Sequence, residues 1–378
     1  MGPGVSFRSL TVVGIGLVGG SLAAAAKRSG EPPLVRGVDV DQETCSFAME
    51  HGIVDEALSP DQALGEGWFG SDATDLVVLA TPARGVVAWL ERLADAGYQG
   101  VVTDVASTKG AIVETARRYA GGGYSFVGGH PMAGSELSGI AAADPDLFSG
   151  AYYVLTPTED TDMEAYRKIH RFAVSLGARV ISIDAAIHDE AVAVVSHIPH
   201  VAAAALVQLA NRHAGENAEI LRLAAGGFKD TTRIAAGSPD LWTGICLDNA
   251  NAVASGAEEL AEELLSFATS VRSGDAGALR AFLEQAAEVR RSLPARWVAD
   301  ADALSELVIP ITDRPGMVSA VTTAVGRAGC NIEDIEIDHQ SEDTALLRLL
   351  LTEEGDREGL MASLEADGFA PRMRRLRG

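Results

Sequence analysis

Short apolar runs alternate with amphipathic stretches through the first half of the chain. Apolar residues in the stretches have helical spacing, and the runs are short enough to be buried strands. The predicted strands are residues 10–13, 34–38, 76–79, 101–103, 152–155 and 179–183. Strands that alternate with helices are typical of a parallel sheet covered on both faces. We therefore predict a doubly wound α/β domain over residues 8–184.

The hydrophobic pattern changes after residue 184, where the strand-like runs stop. Helical periodicity instead covers residues 187–211, 216–224, 241–273 and 276–292. We predict an all-helical middle domain over residues 185–297. Its most apolar stretch, residues 191–210, is long enough to span a bilayer, but it contains two histidines and a proline. We therefore predict a helix that is buried in the core or in a subunit interface, and not a membrane span.

The end of the chain returns to a mixed pattern of strands and helices. The predicted order is strand, helix, strand, strand, helix, strand, over residues 307–311, 316–328, 332–337, 345–351, 357–366 and 372–376. This is the element order of the ferredoxin-like arrangement. We predict a ferredoxin-like α+β domain over residues 304–378.

Composition and charge narrow the classes of function. The 53 acidic and 30 basic side chains give a net charge of −23, which would repel nucleic acid and anionic membranes. The 3 cysteines are far apart and form no CxxC pair, so we expect neither a disulfide framework nor a metal site. The chain does not open with a basic segment followed by an apolar one, so we expect a cytoplasmic protein.

A glycine motif follows the first predicted strand and begins the first helix. Gly14, Gly16 and Gly19 have the spacing of the dinucleotide fingerprint. Gly14 would allow the tight turn, Gly16 the close approach of a pyrophosphate, and Gly19 the packing of the helix on the sheet. The intervening residues Ile15, Leu17 and Val18 complete the loop, whose N–H groups would face the phosphates. A glycine-rich turn without a ligand is the alternative.

An acidic residue supports the dinucleotide interpretation. Asp39 lies twenty residues beyond the third glycine of the motif, at the end of the second predicted strand. Its carboxylate could accept both ribose hydroxyls and would repel a 2′-phosphate, so we predict NAD as the cofactor. Thr81 and Pro82 follow the next strand of the sheet and form a second loop that could face the cofactor.

Several polar blocks share their order with one known family. The blocks are GIGLVGGSL, DVASTKG, GGHPMAGSELSG, SHIPH and GGFKDTTRIA. From the glycine loop to about residue 293, the chain closely resembles the prephenate dehydrogenases and their arogenate-using relatives. The last domain resembles an ACT domain, a small amino-acid-sensing module. The resemblance implies NAD-dependent oxidative decarboxylation of prephenate to 4-hydroxyphenylpyruvate in tyrosine biosynthesis. The apolar helices of the middle domain separately lead us to expect a homodimer.

The resemblance assigns the catalytic residues to two loops. His130 would accept the proton of the substrate hydroxyl, because a neutral imidazole can do so near neutral pH. Ser107 matches the family serine that orients the histidine and the hydroxyl. A loop histidine without a catalytic role is the alternative.

The resemblance also assigns residues to the substrate. Arg233 would clamp a carboxylate in a bidentate pair, and Asp230 could orient it if both lie on one helix face; a surface ion pair is the alternative. Further family matches are Ser196 and His200 on one helix face, Ser135 and Glu136 at the pocket mouth, and Lys229 and Trp242 at the pocket border. His197 would point away from this face and be structural.

The ACT resemblance implies an effector site. Asp313 could bind the amine of an amino acid, Gly316 could leave N–H groups free for its carboxylate, and Asn331 could contact its side chain. Tyrosine or another aromatic amino acid is the expected effector, and a purely architectural domain is the alternative.

Three other functions remain open from the sequence. The first is arogenate dehydrogenation, which is the same chemistry on an amino-bearing substrate. The second is a 3-hydroxyacid dehydrogenase that uses Lys229 as its acid and base. The third is a non-catalytic sensor of NAD and an amino acid.

Overall fold

The computed structural model describes residues 7–70, 73–119, 123–134, 137–215, 219–292, 305–312, 317–330, 332–340, 344–351 and 355–375. The chain divides into two compact units, residues 1–263 and 264–378. The first unit contains the predicted α/β domain and most of the helical domain. The second contains the last helices of that domain and the predicted ferredoxin-like domain.

An eight-stranded sheet forms the centre of the first unit, in the order β3-β2-β1-β4-β5-β6-β7-β8. Its strands are β1 (Ser9–Val13), β2 (Leu34–Val38), β3 (Glu56–Leu58), β4 (Leu76–Leu79), β5 (Val101–Asp104), β6 (Ser125–Pro131), β7 (Tyr152–Thr156) and β8 (Arg179–Ser182). The helices around it are α1 (Leu17–Lys27), α2 (Gln42–Glu50), α3 (Pro60–Gly65), α4 (Ala83–Asp95), α5 (Gly110–Arg117) and α6 (Met163–Ser175). The predicted Rossmann-type fold is thus confirmed.

Alternating side chains of the sheet fill two separate cores. On β4, Leu76 and Val78 belong to one hydrophobic cluster, while Val77 and Leu79 belong to the other. Successive side chains of a strand point to opposite faces, so the sheet is covered on both sides. This explains why central strands such as β4 are continuous apolar runs in the sequence.

The sheet differs from the expectation at two places. The pattern did not predict β3 and β6, and β7 runs antiparallel to β6 instead of parallel. A parallel return needs a crossover, usually a helix. The described residues between these two strands form only a short 3₁₀ turn, Ile140–Ala142.

Helices complete the first unit. They are α7 (Ala185–Val192), a π-helical turn (Ala193–His197), α8 (Ile198–Ala214), α9 (Glu219–Arg222), α10 (Gly226–Thr232), a 3₁₀ turn (Arg233–Ala236), α11 (Pro239–Asp248) and α12 (Ala250–Ser273). The predicted helix over residues 241–273 is interrupted at Asn249. The continuous run Ala185–Ala214 is long and apolar enough to cross a membrane, and 28% of its most apolar window is buried. Its inward polar residues build the site described below.

The second unit ends in a four-stranded antiparallel sheet of order β10-β11-β9-β12. After α13 (Ala276–Ser292), its elements are β9 (Ser305–Thr312), α14 (Met317–Arg327), β10 (Ile332–His339), β11 (Thr344–Leu351), α15 (Arg357–Ala366) and β12 (Arg372–Arg375). The predicted ferredoxin-like arrangement is confirmed. Asp313, Gly316 and Asn331 lie outside the described residues, as does the predicted junction between the helical and ferredoxin-like domains.

Candidate active site

The glycine loop between β1 and α1 leaves an open space at the carboxyl edge of the sheet. Gly14 has a φ of +88°, and a Cβ there would lie 2.7 Å from the carbonyl oxygen of Ala80. A Cβ at Gly19 would lie 2.0 Å from the carbonyl oxygen of Gly14, whereas a Cβ at Gly16 would meet no atom within 4 Å. Gly16 precedes α1 and no side chain caps the helix. The loop therefore offers room and free N–H groups to an anion.

Asp39 and Thr81 border this loop. Asp39 accepts hydrogen bonds from the backbone N–H groups of Ile15 (3.0 Å) and Asp41 (3.0 Å), which hold its carboxylate beside the glycines. Thr81 Oγ1 is buried, and it finds no hydrogen-bond partner within the described parts of the chain. Pro82 follows Thr81 and is the N-cap residue of α4. An orphaned hydroxyl beside an open phosphate cradle fits a bound dinucleotide.

His130 begins a relay of hydrogen bonds behind the sheet edge. It lies in β6, opposite Val154 of β7, and not in a loop after the strand as the sequence indicated. Its Nδ1 lies 2.8 Å from Nε2 of His188, and Nδ1 of His188 lies 2.8 Å from Oδ1 of Asp189. His188 is completely buried on α7. The relay leaves Nε2 of His130 as the ring nitrogen that His188 does not engage.

Backbone groups hold the far end of the relay. The carboxylate of Asp189 accepts from the N–H groups of Lys109 (2.8 Å) and Gly110 (2.7 Å), at the start of α5. Burial alone would raise the pKa of Asp189, but the hydrogen bonds from His188, Gly110 and Lys109 outweigh it and lower the pKa. Asn249 donates from Nδ2 to the carbonyl oxygen of Asp189 at 2.7 Å. Asp189 is therefore an ionised acceptor at neutral pH.

A buried ion pair lies next to the relay. Lys109 Nζ donates to Asp104 Oδ2, and both side chains are completely buried. Asp104 also accepts from the N–H groups of Ala106 and Gly129, each at 3.0 Å. Burial raises the pKa of Asp104 and lowers the pKa of Lys109, and in each case the partner's charge opposes the shift.

The surroundings keep His130 neutral. Burial, followed by the charge of Lys109, holds the pKa of His130 well below its usual 6.5. A neutral imidazole is the form that can accept a proton. The arrangement can therefore serve as a base at the edge of the dinucleotide crevice.

A second histidine cluster lies on the same helical run. His200 stacks on Trp242, with ring centroids 3.5 Å apart, and its Nδ1 is buried without a partner among the described residues. His197 does not point away as expected: it is buried, and its Nδ1 lies 3.3 Å from Asn249 Nδ2. Burial lowers the pKa of both histidines. The π-helical turn adds a residue to one turn of the run, and both histidines are buried.

The other predicted substrate residues are more open. Ser107 and Ser196 are partly exposed, and Lys229, Asp230 and Arg233 are exposed. Helix α10 ends at Thr232 and Arg233 begins the 3₁₀ turn, so Asp230 and Arg233 do not share one continuous α-helix. The glycine that ends this turn, Gly237, lies against Trp242 and His200. Ser135 and Glu136 lie outside the described residues.

Three family models match consecutive parts of the chain. They are the nucleotide-binding domain of prephenate dehydrogenase (residues 22–182), its dimerization domain (residues 184–285) and the ACT domain (residues 307–369). The chain belongs to the prephenate dehydrogenase family. It is an NAD-dependent dehydrogenase with a C-terminal ACT domain.

Known prephenate and arogenate dehydrogenases match most of the chain. Prephenate dehydrogenase of Bacillus subtilis is 34% identical over 363 residues, which covers 95% of this chain and 96% of that protein. The crystal structure of prephenate dehydrogenase from Aquifex aeolicus with hydroxyphenyl propionate and NAD+ has a TM-score of 0.71 at 30% identity, covering 77% of this chain and 99% of that one. The structure of Synechocystis arogenate dehydrogenase has a TM-score of 0.63 at 35% identity, and the match covers 75% of this chain and 99% of that one.

Sequence reasoning missed part of the network in this prephenate dehydrogenase family member. The missed residues are Asp104, Lys109, His188, Asp189 and Asn249. Asp104 and Lys109 lie in a block that was recognised, but their partners were not. The sequence did contain one sign of this network. His188 and Asp189 are adjacent in an apolar helix, and buried polar groups need hydrogen-bond partners.

Proposed function

We propose that this chain oxidises prephenate with NAD, releasing CO₂ and 4-hydroxyphenylpyruvate, as a cytoplasmic step of tyrosine biosynthesis. The observation that carries the proposal is His130, a neutral base whose Nδ1 is occupied by His188 and whose Nε2 is left for a substrate. The match to prephenate dehydrogenases over most of the chain supports the substrate.

NAD, when bound, supplies the hydride acceptor. The N–H groups at the start of α1 would hold its phosphates, Gly16 leaves room for them, and Asp39 would accept from the ribose hydroxyls. The buried Thr81 hydroxyl gains a partner if it donates to the cofactor. The chain's part is to hold the dinucleotide at the edge of the sheet that carries His130.

His130 takes the proton of the substrate hydroxyl on Nε2 as the ring carbon is oxidised. Ser107 precedes Lys109 in the same loop and orients the hydroxyl. Arg233 pairs with a substrate carboxylate, and the His200–Trp242 stack borders the substrate ring. Loss of CO₂ then makes the ring aromatic. The chemical work of the protein is to position the substrate and to accept its hydroxyl proton.

Arogenate is the second candidate substrate, supported by the 35% identity to Synechocystis arogenate dehydrogenase. NADH formation measured with each substrate separates the two. His130→Asn should lower kcat by about 10²-fold with the Kd for NAD unchanged. An exposed histidine of α8 gives the control, His213→Asn, which should keep wild-type kcat. No turnover of either substrate by the wild type would favour a non-catalytic sensor, and a larger loss in Lys229→Met than in His130→Asn would favour a hydroxyacid dehydrogenase.

The apolar surface of the first unit supports the proposal of a homodimer. Val194 and Val195 are 65% and 68% exposed, and Leu206 and Leu209 add to this surface. Exposed apolar area of this kind needs a partner, and the matching family model is a dimerization domain. Light scattering should give twice the chain mass; a monomer at micromolar concentration would contradict it.

Tyrosine is proposed as the ligand of the ACT domain. The proposed contacts Asp313, Gly316 and Asn331 fall at chain positions between β9 and α14 and before β10. Calorimetry of the full chain with tyrosine tests binding, and the initial rate with tyrosine present tests regulation. An absence of heat would leave the domain an architectural role.

A further inference from the structure

The hydrogen bonds of the relay determine where its protons lie. Asp189 is ionised, so its Oδ1 can only accept, and Nδ1 of His188 must carry the proton between them. A neutral His188 then has a lone pair on Nε2. That atom lies 2.8 Å from Nδ1 of His130, so His130 must donate its Nδ1–H. The lone pair of neutral His130 is therefore on Nε2.

We propose that His188 and Asp189 are positioning residues that keep His130 in the tautomer with a basic Nε2 and receive the charge after His130 takes a proton. The step balances within the relay. The substrate O–H bond breaks as Nε2–H forms on His130, while the Nδ1–H bond of His130 breaks as Nε2–H forms on His188. His130 ends neutral, and His188 ends as an imidazolium beside the Asp189 carboxylate. The proton-transfer part rests on the function proposed above; the tautomer does not.

The charged neighbours favour this direction of transfer. The Lys109 ammonium opposes a positive charge on His130. His188 instead contacts the Asp189 carboxylate directly. The Asp104 carboxylate is already engaged by Lys109 and two backbone N–H groups. Positive charge is thus stabilised on His188 more than on His130.

The tautomer can be observed without substrate. In the full-length enzyme labelled with ¹⁵N-histidine, at a pH above 7, we expect His130 to show a protonated Nδ1 and an unprotonated Nε2. His188→Gln should shift His130 towards the other tautomer or a mixture, while His213→Gln should leave it unchanged. A wild-type His130 with its proton on Nε2 would overturn the proposal.

Kinetics test the coupling of the two residues. His188→Gln and Asp189→Asn should each lower kcat by about 10-fold to 10²-fold with KM within about 3-fold, because they remove catalysis and not substrate binding. Substitutions within one hydrogen-bonded relay have effects on kcat that do not add. The double variant should therefore be no slower than the worse single variant, within about 3-fold. Losses that multiply, or a raised KM with unchanged kcat, would refute the relay.

Two controls separate failure of the relay from misfolding of a variant and from failure of the proposed function. Asp189→Asn places an amide N–H against the Lys109 or Gly110 N–H, so its melting temperature and NAD affinity are measured alongside. If that variant does not fold, His188→Gln and the ¹⁵N spectrum decide. If the wild type turns over neither prephenate nor arogenate, the proposed function fails, whereas the spectrum still supports or overturns the tautomer.

Discussion

Lys109→Met should strongly destabilise the first unit. The change removes the ammonium from a pair in which both side chains are completely buried, and leaves the Asp104 carboxylate with only the N–H groups of Ala106 and Gly129. Breaking a buried pair by removing one partner costs about 3–5 kcal/mol. At about 2–4 °C per kcal/mol for a unit of this size, the melting temperature should fall by about 6–20 °C.

Calorimetry of three variants measures this effect. Lys109→Met/Asp104→Asn should be more stable than Lys109→Met, because it replaces the unpaired buried charge with a neutral amide of similar volume. Lys168→Met is the matched control. Lys168 is partly exposed and lies 3.9 Å from Glu164, so its loss should cost about 0.5 kcal/mol or less.

The stability of the Lys109→Met variant should depend on pH in a definite direction. Without the ammonium, burial raises the pKa of Asp104 further above its usual 3.8. A carboxyl whose pKa is raised by folding favours the folded state below its unfolded pKa and loses that contribution as pH rises through its folded pKa. The free energy of unfolding that Lys109→Met loses relative to the wild type should therefore become smaller as the pH is lowered from 7 towards 5. A loss under about 1 kcal/mol at pH 7, or a loss equal to that of Lys168→Met, would refute the reasoning.

Three further predictions concern the site. Because the pKa of His130 is depressed, kcat/KM of the wild type should fall only below pH 6.5. Lys109→Met removes a charge that lowers this pKa, so the fall should begin at a higher pH in that variant. A fall that begins above pH 6.5 in the wild type would contradict the prediction. Gly16→Ala should weaken NAD binding and leave the melting temperature unchanged. Gly19→Ala should lower both the NAD affinity and the melting temperature, because its Cβ would lie 2.0 Å from a backbone oxygen. Titration with NAD and calorimetry measure the two quantities. Arg233→Ala should raise KM with little change in kcat, and an unchanged KM would exclude it as the carboxylate clamp.

The pattern of apolar residues was sufficient for the fold class but not for every strand. The strands at the centre of the large sheet that it predicted, such as β4 and β5, are continuous apolar runs buried on both faces. It missed β6, because Gly128 and Gly129 are unusual in a strand interior. Both glycines are needed there: a Cβ at Gly129 would lie 2.6 Å from the Asp104 carbonyl oxygen, and one at Gly128 would lie 2.3 Å from Thr156 Oγ1. Close approach of neighbouring elements is a tertiary requirement that periodicity does not contain.

The same limit applies to the site. The family motifs identified His130, because such motifs mark residues that meet a ligand. Its partner His188 comes from another element, α7, and Asn249 reaches Asp189 only because the predicted long helix breaks there. Helical spacing states which residues share a face, but not which element that face meets. A buried His–Asp pair in an apolar helix still requires partners. His188 and Asp189 of α7 meet theirs, His130 of β6 and Asn249, only because those elements converge. The relay thus gives a physical reason why β6, α7 and the break before α12 meet behind His130.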